Sequence, residues 1–160
     1  MSKIAVVYFS VYGSTKKFAE EIAKLTSADI YRITPFTKYD DDKKNYEILT
    51  KIAEAEKNNN DRPVIEKINI DSYDKIFVGY PIWWYTMPMA VYTFLESNKW
   101  QGKTIIPFCT HEGSRESTTY ETIKEICKGA NVLDGLEIPG TKFVYTQEIE
   151  IKDWLDKLGI

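Results

Sequence analysis

Short apolar runs alternate with amphipathic stretches along the whole chain. The run at 3–9 is continuous and rich in β-branched and aromatic residues, which is the pattern of a strand buried on both faces. After a polar segment, Phe18, Ile22 and Leu25 recur at helical spacing, with charged residues on the opposite face. The first unit is therefore a strand, a loop and a helix.

The same unit recurs through the rest of the sequence. Apolar runs predict further strands at 29–34, 75–80 and 104–109, and a weaker fifth strand at 133–138. Apolar residues at helical spacing predict further helices, in the segments 37–61, 91–95, 123–127 and 151–158. The helix of 37–61 has only Ile48, Leu49 and Ile52 as strong apolar residues, so we expect it to be exposed.

Strands that alternate with helices indicate an α/β fold. Parallel neighbours need crossover connections, and those helices cover both faces of the sheet. Five strands favour an open, doubly wound sheet over an eight-stranded barrel. The 160 residues contain no internal repeat, so we predict one domain over 1–160.

Composition and charge narrow the classes of function. With 43% hydrophobic and 28% charged residues, the chain is globular and not disordered. The 21 basic and 24 acidic residues give a net charge of −3, which argues against a nucleic-acid partner. No run approaches the roughly 18 apolar residues of a membrane span, so we expect no membrane partner and a cytoplasmic location.

The two cysteines and the single histidine exclude other chemistries. Cys109 and Cys127 have neither metal-knuckle spacing nor the number of a disulfide framework. Both fall at apolar positions, so we predict that they are small buried hydrophobes and not nucleophiles. His111 alone cannot form a multi-histidine metal centre, and we predict no metal site.

Ligands of open α/β sheets bind outside the carboxyl ends of the strands, where three loops of this chain are unusual. The first is 10–16. Its hydroxyl groups, the backbone N–H groups beside Gly13 and the positive end of the following helix suit a phosphate. The alternative is a simple helix cap by Ser14 or Thr15. The loop lacks nucleoside-triphosphate and dinucleotide glycine patterns, so a monophosphate is the better match.

The second loop, 79–88, contains three consecutive large aromatic residues. Trp83, Trp84 and Tyr85 cannot all face one interior, and aromatic side chains at a sheet end suit the stacking of a flat, conjugated ligand. The alternative is that one tryptophan packs under the helix while the others cover a hydrophobic rim.

The third loop, 109–117, surrounds Gly113 with small polar residues. Its N–H groups are placed to meet carbonyl oxygens or ring nitrogens of a planar ligand and to favour the reduced, anionic form of that ligand. His111 is either an ordinary hydrogen-bonding residue of this loop or a functional one.

These loops resemble those of the flavodoxins. Residues 10–15 resemble the family's phosphate loop, and Gly79-Tyr80-Pro81-Ile82-Trp83-Trp84 resembles its aromatic flavin loop. The chain also resembles a bacterial flavodoxin-like subfamily, at Tyr73-Asp74, Pro88, Phe94-Leu95, Gly102-Lys103 and Pro107-Phe108-Cys109-Thr110. The similarity extends over nearly the whole chain.

The resemblance implies a five-stranded parallel sheet in the order 2-1-3-4-5 and noncovalently bound FMN. It assigns the phosphate of FMN to Ser10, Tyr12, Gly13, Ser14 and Thr15. Tyr12 stands where the family has a threonine, so only its backbone N–H is carried over. The flavin ring is assigned to Pro81, Ile82, Trp83, Trp84, Thr110, His111, Glu112, Gly113 and Ser114.

Two uses of a bound flavin remain open. The first is an electron carrier between redox partner proteins, which the family resemblance and the paired tryptophans favour. The second is an NAD(P)H-dependent FMN oxidoreductase that reduces quinones or other small acceptors, which the mild charge of −3 favours. A phospho-accepting receiver is disfavoured because Ser10 and Tyr80-Pro81 stand where acidic residues are expected. We expect a monomer or a weak dimer.

Overall fold

The computed structural model describes residues 2–144 and 147–160. Its strands are β1 (Ile4–Tyr8), β2 (Asp29–Arg32), β3 (Lys75–Pro81), β4 (Thr104–His111), β5 (Asn131–Val132) and β6 (Leu136–Pro139). Its α-helices are α1 (Ser14–Thr26), α2 (Tyr46–Asn58), α3 (Met89–Glu96), α4 (Thr119–Ile126) and α5 (Glu148–Leu158). Short 3-10 helices occupy Lys43–Asn45 and Gly140–Val144.

The sheet is parallel, in the order β2-β1-β3-β4-β5, and the predicted doubly wound topology is confirmed. Two strand predictions need correction at their ends. β4 continues two residues beyond Cys109, so Thr110 and His111 lie in the strand and not in the loop. β2 ends at Arg32, two residues before the predicted end.

The fifth strand is divided into two pieces, which corrects the prediction of one strand at 133–138. β5 and β6 both pair with β4, on the edge that β3 does not occupy. On this edge, the carbonyl oxygens of Lys103 and Ile105 accept hydrogen bonds from the backbone of the fifth-strand segment. Every second residue along the strand directs its backbone groups to the same edge, so the residue that follows Ile105 in this series is Pro107. Proline has no N–H to donate, and the ladder is interrupted opposite it.

Helices cover both faces of the sheet, as predicted. Alternate strand residues point to opposite faces, so Val7 and Val78 belong to one buried cluster while Val6 and Phe77 belong to the other. The first cluster includes side chains of α3 and α4. The second includes side chains of α1 and α5. These two cores hold the carboxyl ends of β1, β3 and β4 in fixed register.

α2 confirms the predicted exposed helix but belongs to neither buried cluster. Its buried residues are Leu49 and Ala53, whereas Ile48 is 57% exposed and Ile52 is 44% exposed. The helix contributes little to the two cores. Its functional relevance comes from its place beside the carboxyl edge of the sheet.

None of the helices in 2–144 and 147–160 combines the length and the apolar character that a bilayer crossing requires.

Candidate functional site

One cavity of about 1030 Å³ lies at the carboxyl edge of the sheet, where the loops after β1, β3 and β4 meet. All fourteen site residues predicted from the sequence line it: Ser10, Tyr12, Gly13, Ser14, Thr15, Pro81, Ile82, Trp83, Trp84, Thr110, His111, Glu112, Gly113 and Ser114. The topology explains why segments far apart in sequence meet here, since the carboxyl ends of parallel strands share one edge.

A fourth wall of the cavity comes from α2, which the sequence analysis did not assign to the site. Tyr46, Leu49, Thr50 and Ala53 all line the cavity. They lie three or four residues apart and so share one face of the helix. The spacing marks these residues as one face of the helix, but it does not show that the face lines a cavity. Lys17, Lys43 and Tyr85 also line the cavity.

The loop after β1 has a fixed shape around Gly13. This glycine has a φ of +105°, a conformation that residues with a side chain rarely adopt. Its N–H donates to the hydroxyl oxygen of Ser10 over 3.1 Å. The guanidinium of Arg32 donates to the carbonyl oxygen of Ser10 over 2.7 Å. Ser10 therefore connects the end of the strand to the turn that starts α1.

The N-terminus of α1 has no side-chain cap within the described chain. The Ser14 hydroxyl donates instead to the carbonyl oxygen of Gly140 over 3.3 Å. The Thr15 hydroxyl is hydrogen-bonded to that of Thr110 over 2.7 Å. The capping alternative is thus wrong for both residues. Because the first turn of α1 also lacks acidic side chains, its N–H groups can receive an anion from the cavity.

Tyr12 brings an orphaned hydroxyl to the cavity wall. The hydroxyl oxygen is buried and has no hydrogen-bond partner among the described residues. Its ring lies against that of Tyr46, with 6.1 Å between centroids. Burial, followed by the neighbouring Tyr46 and the acidic residues 40–42, raises the pKa of Tyr12. The group therefore stays protonated at neutral pH and can donate to a ligand.

The loop after β3 contains a tight turn at 83–86. Trp83 and Thr86 exchange backbone hydrogen bonds of 2.9 and 3.1 Å. The two central residues, Trp84 and Tyr85, have positive φ values of 51° and 63°. Turns with positive φ at both central positions usually contain asparagine and glycine, so two aromatic residues here are strained.

The two tryptophans of this turn have different environments. Trp83 packs edge-on against Phe9 and Tyr39, with ring centroids 5.3 and 5.6 Å apart. Trp83 also lines the cavity. Trp84 is 38% exposed, and its indole N–H donates to the carbonyl oxygen of Thr50 in α2 over 3.0 Å. Trp84 therefore joins the aromatic turn to the α2 wall.

A second bond holds the same two elements together. The Lys57 ammonium donates to the carbonyl oxygen of Trp84 over 2.7 Å. α2 is also held to the loop before it, because the Tyr39 hydroxyl bonds to the carboxylate of Glu56 at 2.7 and 2.9 Å. Burial and that carboxylate raise the pKa of Tyr39, so its hydroxyl remains a donor.

The loop after β4 differs from the prediction at its most important donor. The N–H of Gly113 donates to Nδ1 of His111 over 2.9 Å, so it is not presented to the cavity as expected. Nε2 of the same ring bonds to the carboxylate of Glu137. His111 is 6% exposed, and both of its ring nitrogens have partners within the chain.

The sequence profile of the flavodoxin family matches residues 3–158. The chain belongs to the flavodoxin family. No curated protein matches it by sequence.

Solved structures agree with this family assignment. A provisionally classified flavoprotein from Bacteroides eggerthii is 33% identical, with a TM-score of 0.85 over 100% of this chain and 99% of its own. A second one, from Bacteroides uniformis, is 29% identical, with a TM-score of 0.84 over 97% and 98%. A flavoprotein from Lactobacillus acidophilus, solved in complex with FMN, is 22% identical, with a TM-score of 0.70 over 90% and 97%.

Both cysteines of this flavodoxin are buried, as predicted. Burial raises the pKa of Cys109 to about 12, and that of Cys127 to about 12. The thiols are therefore protonated at neutral pH, a state in which they are poor nucleophiles. The described residues contain no cluster of three or more His, Cys, Asp or Glu side chains that could hold a metal ion.

Proposed function

We propose that this flavodoxin binds FMN in the cavity at the carboxyl edge and serves as an electron carrier between redox partner proteins. One observation supports this most strongly. A single cavity is lined both by the uncapped N-terminus of α1, which suits an anion, and by the aromatic turn that contains Trp84. FMN has the matching shape, a phosphate at one end and a planar ring at the other.

The phosphate end is assigned to the 10–15 loop. A phosphate monoester carries a charge of about −1.5 to −2 near neutral pH and accepts several hydrogen bonds. Backbone N–H groups at a helix N-terminus donate to such a group, and the helix dipole adds a favourable positive potential. The bond between Ser10 and Gly13 holds the donors in place before the ligand arrives.

The ring end is assigned to the aromatic turn and the α2 wall. Trp84 and Tyr46 provide flat apolar surface on which a conjugated ring can pack. The orphaned hydroxyl of Tyr12 provides a donor that the protein itself does not use. A buried polar group without a partner costs about 1–3 kcal/mol, so a ligand acceptor at this position would be stabilising.

Bound FMN would supply one-electron and two-electron redox chemistry. The role of this chain is to bind the ring, to orient it and to limit its contact with water. The hydrogen bonds from Trp84 to Thr50 and from Lys57 to Trp84 close the aromatic turn against α2. Such a cover suits an electron carrier, because electrons can pass through a protein wall that a second substrate cannot cross.

An NAD(P)H-dependent FMN reductase is the second candidate, and the size of the cavity favours it. The volume of about 1030 Å³ reaches the upper end of the usual range for ligand pockets, about 300–1,000 Å³. Lys43 also lines the cavity, where a cation can meet the phosphates of a nucleotide. A small acceptor would then take the electrons from the reduced flavin.

The two candidates are separated by one anaerobic experiment. The purified chain is loaded with FMN, and its visible spectrum is recorded before and after addition of NADH or NADPH, and then of dithionite. We expect bound flavin that stays oxidised with either nucleotide and bleaches with dithionite. Rapid bleaching by a nucleotide would support the reductase instead, and failure to bind FMN would contradict both candidates.

A further inference from the structure

Near the carboxyl end of β4, three hydrogen-bonded residues and one ion-paired arginine form a group that the proposed function does not use. His111 bonds to the N–H of Gly113 through Nδ1 and to the carboxylate of Glu137 through Nε2. The other oxygen of Glu137 lies 3.3 Å from Nη2 of Arg115. Both His111 and Gly113 line the cavity, whereas Glu137 supports them from β6.

These contacts fix the proton of the imidazole ring. Nδ1 accepts from a backbone N–H and so carries no proton, and the ring proton of the neutral form therefore lies on Nε2, facing Glu137. Addition of a second proton turns Nδ1 into a donor. A protonated His111 cannot accept from Gly113, and their present contact becomes one between two donors.

We propose that His111 is a proton-responsive positioning residue, whose protonation releases the N–H of Gly113 to a ligand in the cavity. Imidazole is the side chain that ordinarily changes charge between pH 5 and 8. Gly113 is suited to the movement, because its φ is +119° and no atom lies within 4 Å of the position of a Cβ. Glycine, which lacks a Cβ, reaches backbone conformations that are closed to other residues.

The charges around His111 determine the sign of the effect. Glu137 from β6 faces Nε2, Arg115 from the loop faces Glu137, and Glu112 is the next residue in the chain. With neutral His111, the single positive charge of Arg115 is shared between the carboxylates of Glu137 and Glu116, so these side chains together carry a net negative charge. Protonation adds one positive charge at the cavity wall, and the cations of Lys17 and Lys43 line the same cavity.

The inference rests on the proposed function for the identity of the ligand. FMN that takes up two electrons and one proton gains one negative charge. A freed N–H and an added positive charge favour the more negative form. Linkage is reciprocal, so reduced FMN should in turn make His111 easier to protonate. We expect the protonated protein to prefer reduced over oxidised FMN about tenfold more strongly, the factor of one charge-assisted hydrogen bond.

The first test uses the protein without ligand. His111 is the single histidine of the chain, so its imidazole signals in an NMR titration need no assignment. We expect the amide signal of Gly113 to shift with the same midpoint as the ring, and its hydrogen exchange to accelerate below that pH. A Gly113 amide that does not respond to the protonation of His111 would overturn the inference.

The second test compares FMN-loaded wild type with His111→Asn. The asparagine side-chain oxygen can replace Nδ1 as the acceptor for Gly113, but it does not titrate. The ratio of dissociation constants for oxidised and reduced FMN is measured at pH 5.5 and 8. Between the two pH values, the ratio of the wild type should change about tenfold more than the ratio of the variant. Protonation of the flavin itself affects both proteins equally and therefore cancels in this comparison. Equal changes would overturn the proposal.

Glu137→Gln supplies a variant that keeps His111 should the asparagine variant fail to fold. Loss of the carboxylate should lower the pH at which the ring and the Gly113 amide respond together, and an unchanged midpoint would count against the network. A chain that binds no FMN would contradict the proposed function. The NMR titration would still decide the role of His111, since it requires no ligand.

Discussion

Gly13→Ala isolates the conformation of the phosphate loop from its packing. The glycine has a φ of +105°, and no atom lies within 4 Å of where the added Cβ would stand. The substitution therefore causes no collision. Its cost comes from the backbone, because an alanine disfavours this conformation and draws the loop toward negative φ. That change would redirect the N–H groups that start α1.

The geometry of Gly13 sets the expected size of two effects of this substitution, one on stability and one on the preference for FMN. Holding alanine at positive φ costs about 1–2 kcal/mol, which lowers the melting temperature of a chain of this size by about 2–8 °C. If the loop relaxes, FMN loses hydrogen bonds to its phosphate, each worth about 1.5–3 kcal/mol. Riboflavin has no phosphate. The preference for FMN over riboflavin should therefore fall at least about tenfold for each lost contact.

Gly102→Ala is the matched control. Gly102 has a φ of +79°, no atom lies within 4 Å of its Cβ position, and the residue lies before β4, away from the cavity. Dissociation constants for FMN and riboflavin are measured by fluorescence, and stability by thermal unfolding, for both variants. Both substitutions should destabilise the fold, but only Gly13→Ala should reduce the preference for FMN. An unchanged preference in Gly13→Ala would refute the phosphate assignment.

Three further predictions concern strain, packing and reactivity. Tyr85→Gly should raise stability by about 1 kcal/mol relative to Tyr85→Ala, because the residue is 68% exposed and has a φ of 63°; equal urea midpoints would contradict this. Gly79→Ala should cost about 1–3 kcal/mol, since its Cβ would lie 2.0 Å from Cζ of Phe108; an unchanged unfolding midpoint would show that the ring moves freely. Cys109 and Cys127, whose pKa values burial raises to about 12, should resist iodoacetamide at pH 8 until urea unfolds the chain, so labelling of the native protein at the unfolded rate would disprove their burial.

The central strands could be predicted from the sequence because strands buried on both faces consist of continuous apolar residues. β1, β3 and β4 are apolar on both faces, and a short, continuous run of β-branched and aromatic residues between polar loops favours a buried strand. The three loops at their carboxyl ends followed from the topology. The parallel arrangement itself brings the predicted residues to one edge.

The role of α2 could not be predicted in the same way. Leu49 and Ala53 are spaced like core residues, and spacing alone cannot distinguish a helix that packs on a sheet from one that walls a cavity. The divided fifth strand depends on Pro107 of β4, the neighbouring strand. The effect of a proline on a partner strand becomes visible only when the pairing is known.

In the third loop, 109–117, the sequence did not show which group accepts the N–H of Gly113. Small residues around Gly113 indicate accessible N–H groups, but their partners depend on a side chain two residues away. His111 takes the Gly113 N–H because β4 continues to residue 111 and holds the ring in place against Glu137. A strand end that shifts by two residues thus changes which donor faces the cavity.

A crystal structure of the chain with FMN would show the binding mode directly. We expect a phosphate that accepts hydrogen bonds from the backbone at the start of α1, and a flavin ring that packs against the aromatic turn at 83–86 and the α2 wall. We also expect a contact for the hydroxyl of Tyr12. FMN bound outside this cavity, or with its phosphate away from the 10–15 loop, would contradict the proposed binding site.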